Sequence, residues 1–462
     1  MPQPNRDGMA ISNCLIADER RYIRAEEAKD HDAWIKMLTD EQRLIYDQIT
    51  DVVCNRQGGV FFVYGFRGTG KTFLWSTLSA AVRCRGEIVL SVASSGIASL
   101  LLPGGRITHS KFGIPIHPDE STYCSIDPRS ELADLIKETS LIIWDEAPMM
   151  SRYSFESLDW SLYDIICNPE SKPFGGKVVV FGGDFRQVLP IIQGAGRAEI
   201  VLASLNSSYL WDHCKVLTLT KNMRLLNSKL SYAQSEEIKE FSEWLLNIGD
   251  GKIAELYDGE AMIDIPEEFL ITDADNPIES IVRAIYGDPA LLHEEKDPKF
   301  FQQRAILAPR NEDVNKLKLY MLEKFKGQEV VYLSADILDP TDSYSNTNPA
   351  IVIIGDRIGD IVLIPKVLIT PSDTKLPFKM RRRQFPIALA FAMTISKSQG
   401  QSLSEVGLYL PKSVFSHGQL YVVLSRVTSK KGLKVIILDK DGKIARQALN
   451  VVFKEVFQNL VR

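Results

Sequence analysis

The sequence predicts an α/β protein built on parallel sheets, and three short apolar runs are the basis of that prediction. Each run is continuous rather than alternating, as is typical of a strand that is buried on both faces. The first run is followed at once by a glycine-rich segment and then by apolar residues at helical spacing. Because ligands bind at the carboxyl ends of parallel strands, we expect the chemistry to lie after these runs. They span residues 60–64, 140–144 and 178–181.

The segment after the first run is a complete G-x-x-x-x-G-K-T phosphate-binding motif at residues 65–72. In such a strand-to-helix turn, backbone N–H groups and the positive end of the helix bind phosphate. An ordinary glycine-rich turn with an exposed lysine is the alternative, which the flanking strand and helix disfavour. The motif predicts that the chain binds a nucleoside triphosphate. The residues that we expect to bind it are Gly65, Gly68, Thr69, Gly70, Lys71 on the β- and γ-phosphates and Thr72 on Mg²⁺.

Polar residues also follow the other two runs. Asp145 and Glu146 come directly after the second run, where one carboxylate can hold Mg²⁺ through water and the other can polarise an attacking water. Alone, this pair would be no more than a solvated turn, but the phosphate-binding motif favours the catalytic interpretation. Gln187 follows the third run and is equally consistent with a sensor of the γ-phosphate and with a plain loop glutamine.

A fourth apolar run, at residues 89–93, ends in small hydroxyl residues, and a second polar turn follows it. Such residues suit contact with a phosphate backbone, although tight turns use the same residue types. The residues concerned are Ser94, Ser95, Gly96, Thr108 and His109.

Composition limits the class of protein. A chain of 462 residues is long enough for two or three domains. The formal net charge of −5 means that any nucleic acid has to be held in a local groove rather than on a uniformly basic surface. No apolar run reaches the roughly 20 residues of a membrane span, so we expect no membrane contact. The six cysteines are scattered without a C-x-x-C pair, which is typical of a reduced cytosolic or nuclear protein, and the six dispersed histidines do not predict a zinc site.

In their order and amino-acid sequence, the motifs of this chain resemble those of superfamily-one helicases. They include Leu-Thr-Asp-Glu-Gln at 38–42, the loop at 65–72, the segments at 145–148, 182–187 and 219–224, and in the second half those at 390–401 and 419–428. These motif sequences are similar to those of the Pif-type (petite integration frequency) DNA helicases, in the branch carried by Helitron-type transposons. The resemblance covers nearly all of the chain from about residue 37 to 440.

The resemblance implies two RecA-like domains with ATP in the cleft between them. It implies that Gln42 reads the edge of the adenine, that Asp145 is the Mg²⁺ ligand and that Glu146 is the catalytic base. Gln187 would couple the γ-phosphate to DNA. Arg224 and Arg426 would reach the phosphates from the far side of the cleft, so that hydrolysis is coupled to closure. For Arg426, the alternative is a surface arginine beside two lysines.

The resemblance also implies an ATP-dependent DNA helicase that moves 5′-to-3′ on single strands. Its partners would be single-stranded DNA and a forked duplex, bound by a monomer in the nucleus, in DNA repair, recombination and telomere maintenance or in Helitron-type transposition. The basic run at 379–383 could grip phosphates, direct nuclear import or be a solvated turn. In the second half, the implied DNA contacts are Ser396, Lys397, Ser398 and Gln399.

We expect an N-terminal extension at 1–36, a first RecA-like domain at 37–225, a helical connecting region at 226–300 and a second RecA-like domain at 301–455. The second domain departs from the family. Relatives carry several tens of further residues after Pro349, including an apolar strand, whereas this chain has a shortened β-rich insertion. We therefore expect a strand to be missing from the second sheet, with normal ATP binding but weak stimulation by DNA and poor unwinding.

Two other classes of protein stay open on the sequence. One is a P-loop ATPase that remodels protein, which would lack the 396–400 loop and the distal arginines that this chain has. The other is an inactive or binding-only relic of a transposon, which the shortened insertion favours.

Overall fold

The computed structural model describes most of the chain. The described residues are 13–167, 172–226, 231–255, 257–272, 275–294, 297–324, 335–337, 347–351, 361–369, 381–387, 389–458 and 460. Much of the shortened insertion, and the beginning of the basic run at 379–383, lie outside these residues.

The first domain is built on a sheet of six parallel strands, as the apolar runs predict. The strands lie side by side in the order β3-β2-β4-β5-β1-β6. The four predicted runs are strands β1, β2, β4 and β5, and their apolar side chains are almost all buried because helices cover both faces. The strands are β1 Gly59–Gly65, β2 Ile88–Ala93, β3 Arg106–Ile107, β4 Thr139–Asp145, β5 Val178–Gly183 and β6 Cys214–Leu219.

The helices around this sheet begin and end where the sequence carries the matching signals. Thr39 caps the helix that starts at Asp40, and Gln42 completes a capping box with it. The helix Arg152–Ile166 buries its apolar stripe in the core. The α-helices that precede β6 in the chain are Cys14–Glu19, Arg24–Trp34, Asp40–Cys54, Lys71–Arg83, Gly96–Ser99, Thr108–Phe112, Glu131–Glu138, Arg152–Ile166 and Arg197–Leu202.

The second domain contains a parallel sheet of four strands in the order β8-β7-β9-β10, and this sheet corrects one expectation. Its neighbouring strands are hydrogen-bonded throughout, so among the described residues the sheet has no unfilled position. The segment that relatives carry falls between β7 and β8 in the chain. Among the described residues, the expectation of an unfilled position within this sheet is therefore wrong, and it no longer gives a reason to expect poor unwinding. The strands are β7 Arg304–Ala308, β8 Ala392–Thr394, β9 Glu405–Leu410 and β10 Leu433–Ile437.

The remaining elements connect and cover the two sheets. The helix Pro277–Tyr286, which lies within the predicted connecting region, packs on the second sheet, where a Cβ on Gly407 would lie 2.8 Å from Ile285. In the part of the insertion that is described, short antiparallel strands pair with one another. No helix among the described residues is long and apolar enough to cross a membrane. These elements are the helices Tyr232–Gly249, Pro277–Tyr286, Pro298–Gln302, Asn311–Lys324 and Gln419–Leu424, and the strands Glu260–Asp264, Ala335–Ile337, Thr347–Ile351, Ile361–Pro365, Val367–Ile369, Arg381–Gln384 and Gln447–Val451.

Buried hydrogen bonds join the two domains. The hydroxyl of Tyr421 donates to Asp184 at 2.8 Å. His417 accepts from the backbone N–H of Phe453 at Nδ1, so its Nε2 carries the proton and donates to the carbonyl of Phe185 at 2.7 Å. Burial lowers the pKa of His417 to about 4, which keeps the imidazole neutral in this role. The second domain is thus held directly against the loop that follows β5.

Candidate active site

The order of the strands brings four polar segments to one edge of the first sheet. Strands β4, β5, β1 and β6 are neighbours and run parallel, so the segments after them emerge side by side. These segments carry the acid pair, Gln187, the phosphate-binding loop and Arg224. The topology alone therefore predicts that residues far apart in the chain share one site.

The phosphate-binding loop depends on glycine at two positions. Gly68 and Gly70 have φ angles of +96° and +80°, in the left-handed region that side chains disfavour. A Cβ on Gly70 would also lie 2.5 Å from the side-chain amide of Gln42. The helix that starts at Lys71 follows at once, so its free N–H groups face the loop. The ammonium of Lys71 donates to the carbonyls of Gly65 and Phe66 within the loop.

The acid pair is buried at the end of β4. Burial raises the pKa of Asp145, and burial together with the charge of Asp145 raises the pKa of Glu146 from 4.5 to about 7. Glu146 has a φ of +52°, a strained conformation for a side-chain-bearing residue, of the kind that occurs at functional sites. A carboxyl that titrates near neutral pH is suited to take a proton from water.

In the structure, Arg224 and Arg426 belong to different domains. Arg426 comes from the second domain, and at 2% exposure it is not a surface arginine. Arg224 follows β6 of the first sheet and lies beside Gly68 of the loop, and its Nη1 donates to the carbonyl of Val427 at 3.5 Å. Contrary to the prediction, Arg224 therefore does not come from the far side of the cleft, whereas Arg426 lines the cleft from the second domain and its contact with phosphate stays a prediction. Because β6 pairs in parallel with β1, the residue after β6 emerges on the same side as the loop.

Between the domains lies a cleft of about 370 Å³ in which these groups meet. The cleft suits Mg²⁺, because the Oδ1 of Asp145 is buried with no hydrogen-bond partner among the described residues, and hard cations prefer such carboxylate oxygens. The exposed hydroxyl of Thr72 lines the same cleft. The cleft is lined by Phe66, Arg67, Gly68, Gly70, Lys71, Thr72, Leu101, Asp145, Glu146, Gln187, Met223, Arg224, Gly400, Ser402 and Arg426.

Gln42 lies against the loop rather than among the residues that line the cleft. Its amide nitrogen donates to the carbonyl of Thr69 at 3.1 Å, and its oxygen accepts from the backbone N–H of Thr39. Thr69 in turn donates from its hydroxyl to Phe66. In this structure Gln42 therefore braces the loop, and contact with adenine stays a prediction.

The predicted DNA contacts fall into two groups. Thr108, Ser398 and Gln399 are fully buried and hydrogen-bonded inside the protein: Thr108 donates to Ala93 and Ser398 to Ile395. For these three side chains the structure corrects the prediction, because they hold their segments in shape rather than face solvent. The remaining residues are exposed or partly exposed, namely Ser94, Ser95, Gly96, His109, Ser396 and Lys397.

The two segments that are predicted to contact DNA meet at the domain boundary. Gly400, with a φ of +86°, approaches Ala98 so closely that a Cβ would lie 3.0 Å from the Cα of Ala98. Ser95 caps the short helix that contains Ala98. The segments at 94–99 and 396–400 therefore form one continuous region across both domains.

One residue of the site was missed by sequence reasoning. Arg67 stands at a variable position of the motif, so the pattern gives no signal for it. In the structure, its Nη2 donates to the carbonyl of Gln401 in the second domain at 3.0 Å.

Residues 37–259 match the family model described as PIF1-like helicase. The chain is 25% identical over 411 residues to the ATP-dependent DNA helicase Pif1 of Campylobacter jejuni, covering 81% of this chain and 88% of that protein. It is 26% identical over 466 residues to the ATP-dependent DNA helicase PIF1 of Xenopus laevis, covering 96% and 67%.

A solved structure with the same fold is the Bacteroides Pif1 helicase in complex with ADP-AlF3 and single-stranded DNA. It matches with a TM-score of 0.59 at 20% identity, over 88% of this chain and 94% of that chain. The likeness confirms the predicted architecture of two RecA-like domains with parallel sheets.

Proposed function

We propose that this chain, which belongs to the PIF1-like helicases of superfamily one, is an ATP-dependent DNA helicase that moves 5′-to-3′ on single-stranded DNA. One observation carries the proposal: the cleft joins Lys71 and Glu146 of the first domain to Arg426 of the second. A site completed by both domains makes hydrolysis depend on how the domains are placed, which is what a translocating motor requires.

In this proposal, the chain's own residues divide the work of hydrolysis. Lys71 leaves the carbonyls of the loop and binds the β- and γ-phosphates. Glu146 accepts the proton of the attacking water, for which its pKa of about 7 is suited. Arg426 stabilises the charge that develops on the phosphoryl group. Asp145 and Thr72 would hold Mg²⁺, which supplies further positive charge at the phosphate oxygens.

The proposed path of DNA crosses both domains along the region at 94–99 and 396–400. Its accessible groups are hydroxyls, backbone turns and the ammonium of Lys397. Such groups contact phosphates and carry no base-specific information, so we infer binding that depends little on sequence. The 5′-to-3′ direction rests on the resemblance to the family.

We also propose where in the cell the helicase acts and to which branch of the family it belongs. The basic residues at 381–383 and the scattered cysteines support a nuclear location. The sequences of the motifs at 390–401 and 419–428 support the Helitron-associated branch. Roles in repair, recombination or telomere maintenance, a forked duplex as substrate and a monomeric state belong to the same proposal and rest on the resemblance.

Unwinding of tailed duplexes tests the proposal. With ATP and Mg²⁺, we expect strand release from a duplex with a 5′ single-stranded tail and not from the same duplex with a 3′ tail. Release from the 3′-tailed substrate alone would contradict the proposed direction. Nucleotide and DNA binding without hydrolysis or release from either substrate would favour the binding-only relic instead.

A further inference from the structure

We propose that Arg67 binds the terminal phosphate of ATP and links that phosphate directly to the second domain. The inference rests on the proposed function, because it assigns a further residue to the same nucleotide site. The motif itself binds phosphate through backbone N–H groups and a lysine. Arg67 would be a further side chain of the same loop that binds phosphate.

The guanidinium of Arg67 already spans the boundary between the domains. Its Nη2 donates to the carbonyl oxygen of Gln401 at 3.0 Å. Its Nη1 is buried and has no hydrogen-bond partner among the described residues. A buried donor without a partner is costly, and Arg67 lines the cleft together with Lys71 and Glu146. The unused donor therefore indicates a ligand acceptor in this cleft.

Arg67 and Arg426 also converge on one acceptor. Nη1 of Arg426 donates to the same carbonyl oxygen of Gln401 at 3.4 Å, so two positive groups share one neutral oxygen. Burial lowers the pKa of Arg67 well below its usual value, and the positive charges of Arg426 and Arg224 lower it further. Such a concentration of like charge is relieved by an anion bound among the three guanidinium groups.

The ligand that fits is the terminal phosphate of a nucleoside triphosphate. A guanidinium presents its donors in a planar fork, so one edge can hold the Gln401 carbonyl while the other binds a phosphate oxygen. A lysine at this position would present its three donors from a single nitrogen, so it could not reach two acceptors as far apart as the opposite edges of a guanidinium. Because ADP lacks the terminal phosphate, Arg67 would discriminate between ATP and ADP.

The experiment measures binding of ADP and of a non-hydrolysable β,γ-imido analogue of ATP, each with Mg²⁺, to the full chain. In Arg67→Ala, we expect affinity for the analogue to fall about tenfold or more, since hydrogen bonds to charged groups are among the stronger ones. Affinity for ADP should change less than about twofold. Arg129→Ala, which removes an exposed arginine that does not line the cleft, is the matched control and should leave both affinities unchanged.

Retained binding of ADP shows that the variant is folded, so a selective loss of the analogue supports the inference. Equal losses for the two nucleotides, or no loss for either, would overturn it while leaving the proposed function in place. If the unmodified chain bound neither nucleotide, the proposed function would fail, and this inference with it. A third variant, Arg67→Lys, should recover only part of the affinity for the analogue; full recovery would contradict the role of the planar fork.

Discussion

The side-chain amide of Gln399 donates a hydrogen bond of 3.2 Å to the side-chain oxygen of Gln187. Both residues are buried, and the bond crosses from the second domain to the first. Gln187 lines the cleft between the domains, whereas Gln399 lies within the 396–400 segment of the proposed DNA path. The bond therefore joins the cleft proposed for the nucleotide to the segment proposed for DNA, and the coupling role of Gln187 stays a prediction that this bond makes testable.

A double-mutant cycle tests this connection. Gln187→Ala and Gln399→Ala should each lower the factor by which single-stranded DNA stimulates ATP hydrolysis, because each removes one end of the same bond. The double variant should be little worse than the worse single variant, with a coupling energy of about 0.5–3 kcal/mol. Losses that simply add would show that the two residues act independently. Thermal melting of all three variants checks that they are folded.

Lys71→Ala should abolish ATP hydrolysis and leave the protein folded. Among the described residues, the ammonium donates hydrogen bonds to carbonyls of its own loop, so its loss would remove the proposed phosphate ligand without opening the core. Steady-state hydrolysis and thermal melting provide the measurement, and Lys137→Ala, at an exposed lysine of another helix, is the control. Normal turnover in the Lys71 variant would refute the assignment of the loop.

Glu146→Gln should bind ATP with Mg²⁺ and hydrolyse it about 10²–10⁴ times more slowly, because the change removes the base while keeping the size of the side chain. Single-turnover hydrolysis, compared with nucleotide affinity, separates the two effects. If turnover stays near that of the unmodified chain, another group is the base.

The same carboxyl predicts the pH dependence. Its pKa lies near 7 in the folded chain, against 4.5 for an ordinary glutamate, so kcat/KM for ATP should fall as the pH is lowered from about 8 to about 6. Since a raised carboxyl pKa means that the folded state holds the proton longer, the contribution of Glu146 to stability changes in the opposite sense: it is fully present below pH 4.5 and is lost as the pH rises from 4.5 to about 7. A flat activity profile between about pH 6 and about pH 8 would contradict the assignment.

Lys397 is the exposed cation of the DNA-contact region, so Lys397→Ala should weaken binding of single-stranded DNA equally for different base sequences. Removing one phosphate contact should lower the slope of log affinity against log salt by about 0.7. Salt titrations on several oligonucleotides measure both effects, with the exposed Lys440→Ala as control. An unchanged slope would place the DNA elsewhere.

Local sequence predicted the parts of the site that local geometry determines. The glycines and Lys71 follow from a strand-to-helix turn, and the acid pair from the end of a buried strand. Packing between distant segments decided the rest. No pattern near Thr108 or Ser398 reveals that their hydroxyls are bonded inside, nor that Arg67, at a variable position, meets a carbonyl 334 residues away in the chain. The sequence likewise did not show that the described strands of the second sheet leave no gap between them, because strand neighbours there are not neighbours in sequence.

Hydrolysis of ATP with and without single-stranded DNA tests the central claim most directly, namely that a DNA-driven motor operates through the cleft between the two domains. We predict slow hydrolysis by the protein alone and a marked increase when single-stranded DNA is added, in the presence of Mg²⁺, with the increase lost in Glu146→Gln. Hydrolysis at the same rate with and without DNA would contradict the claim.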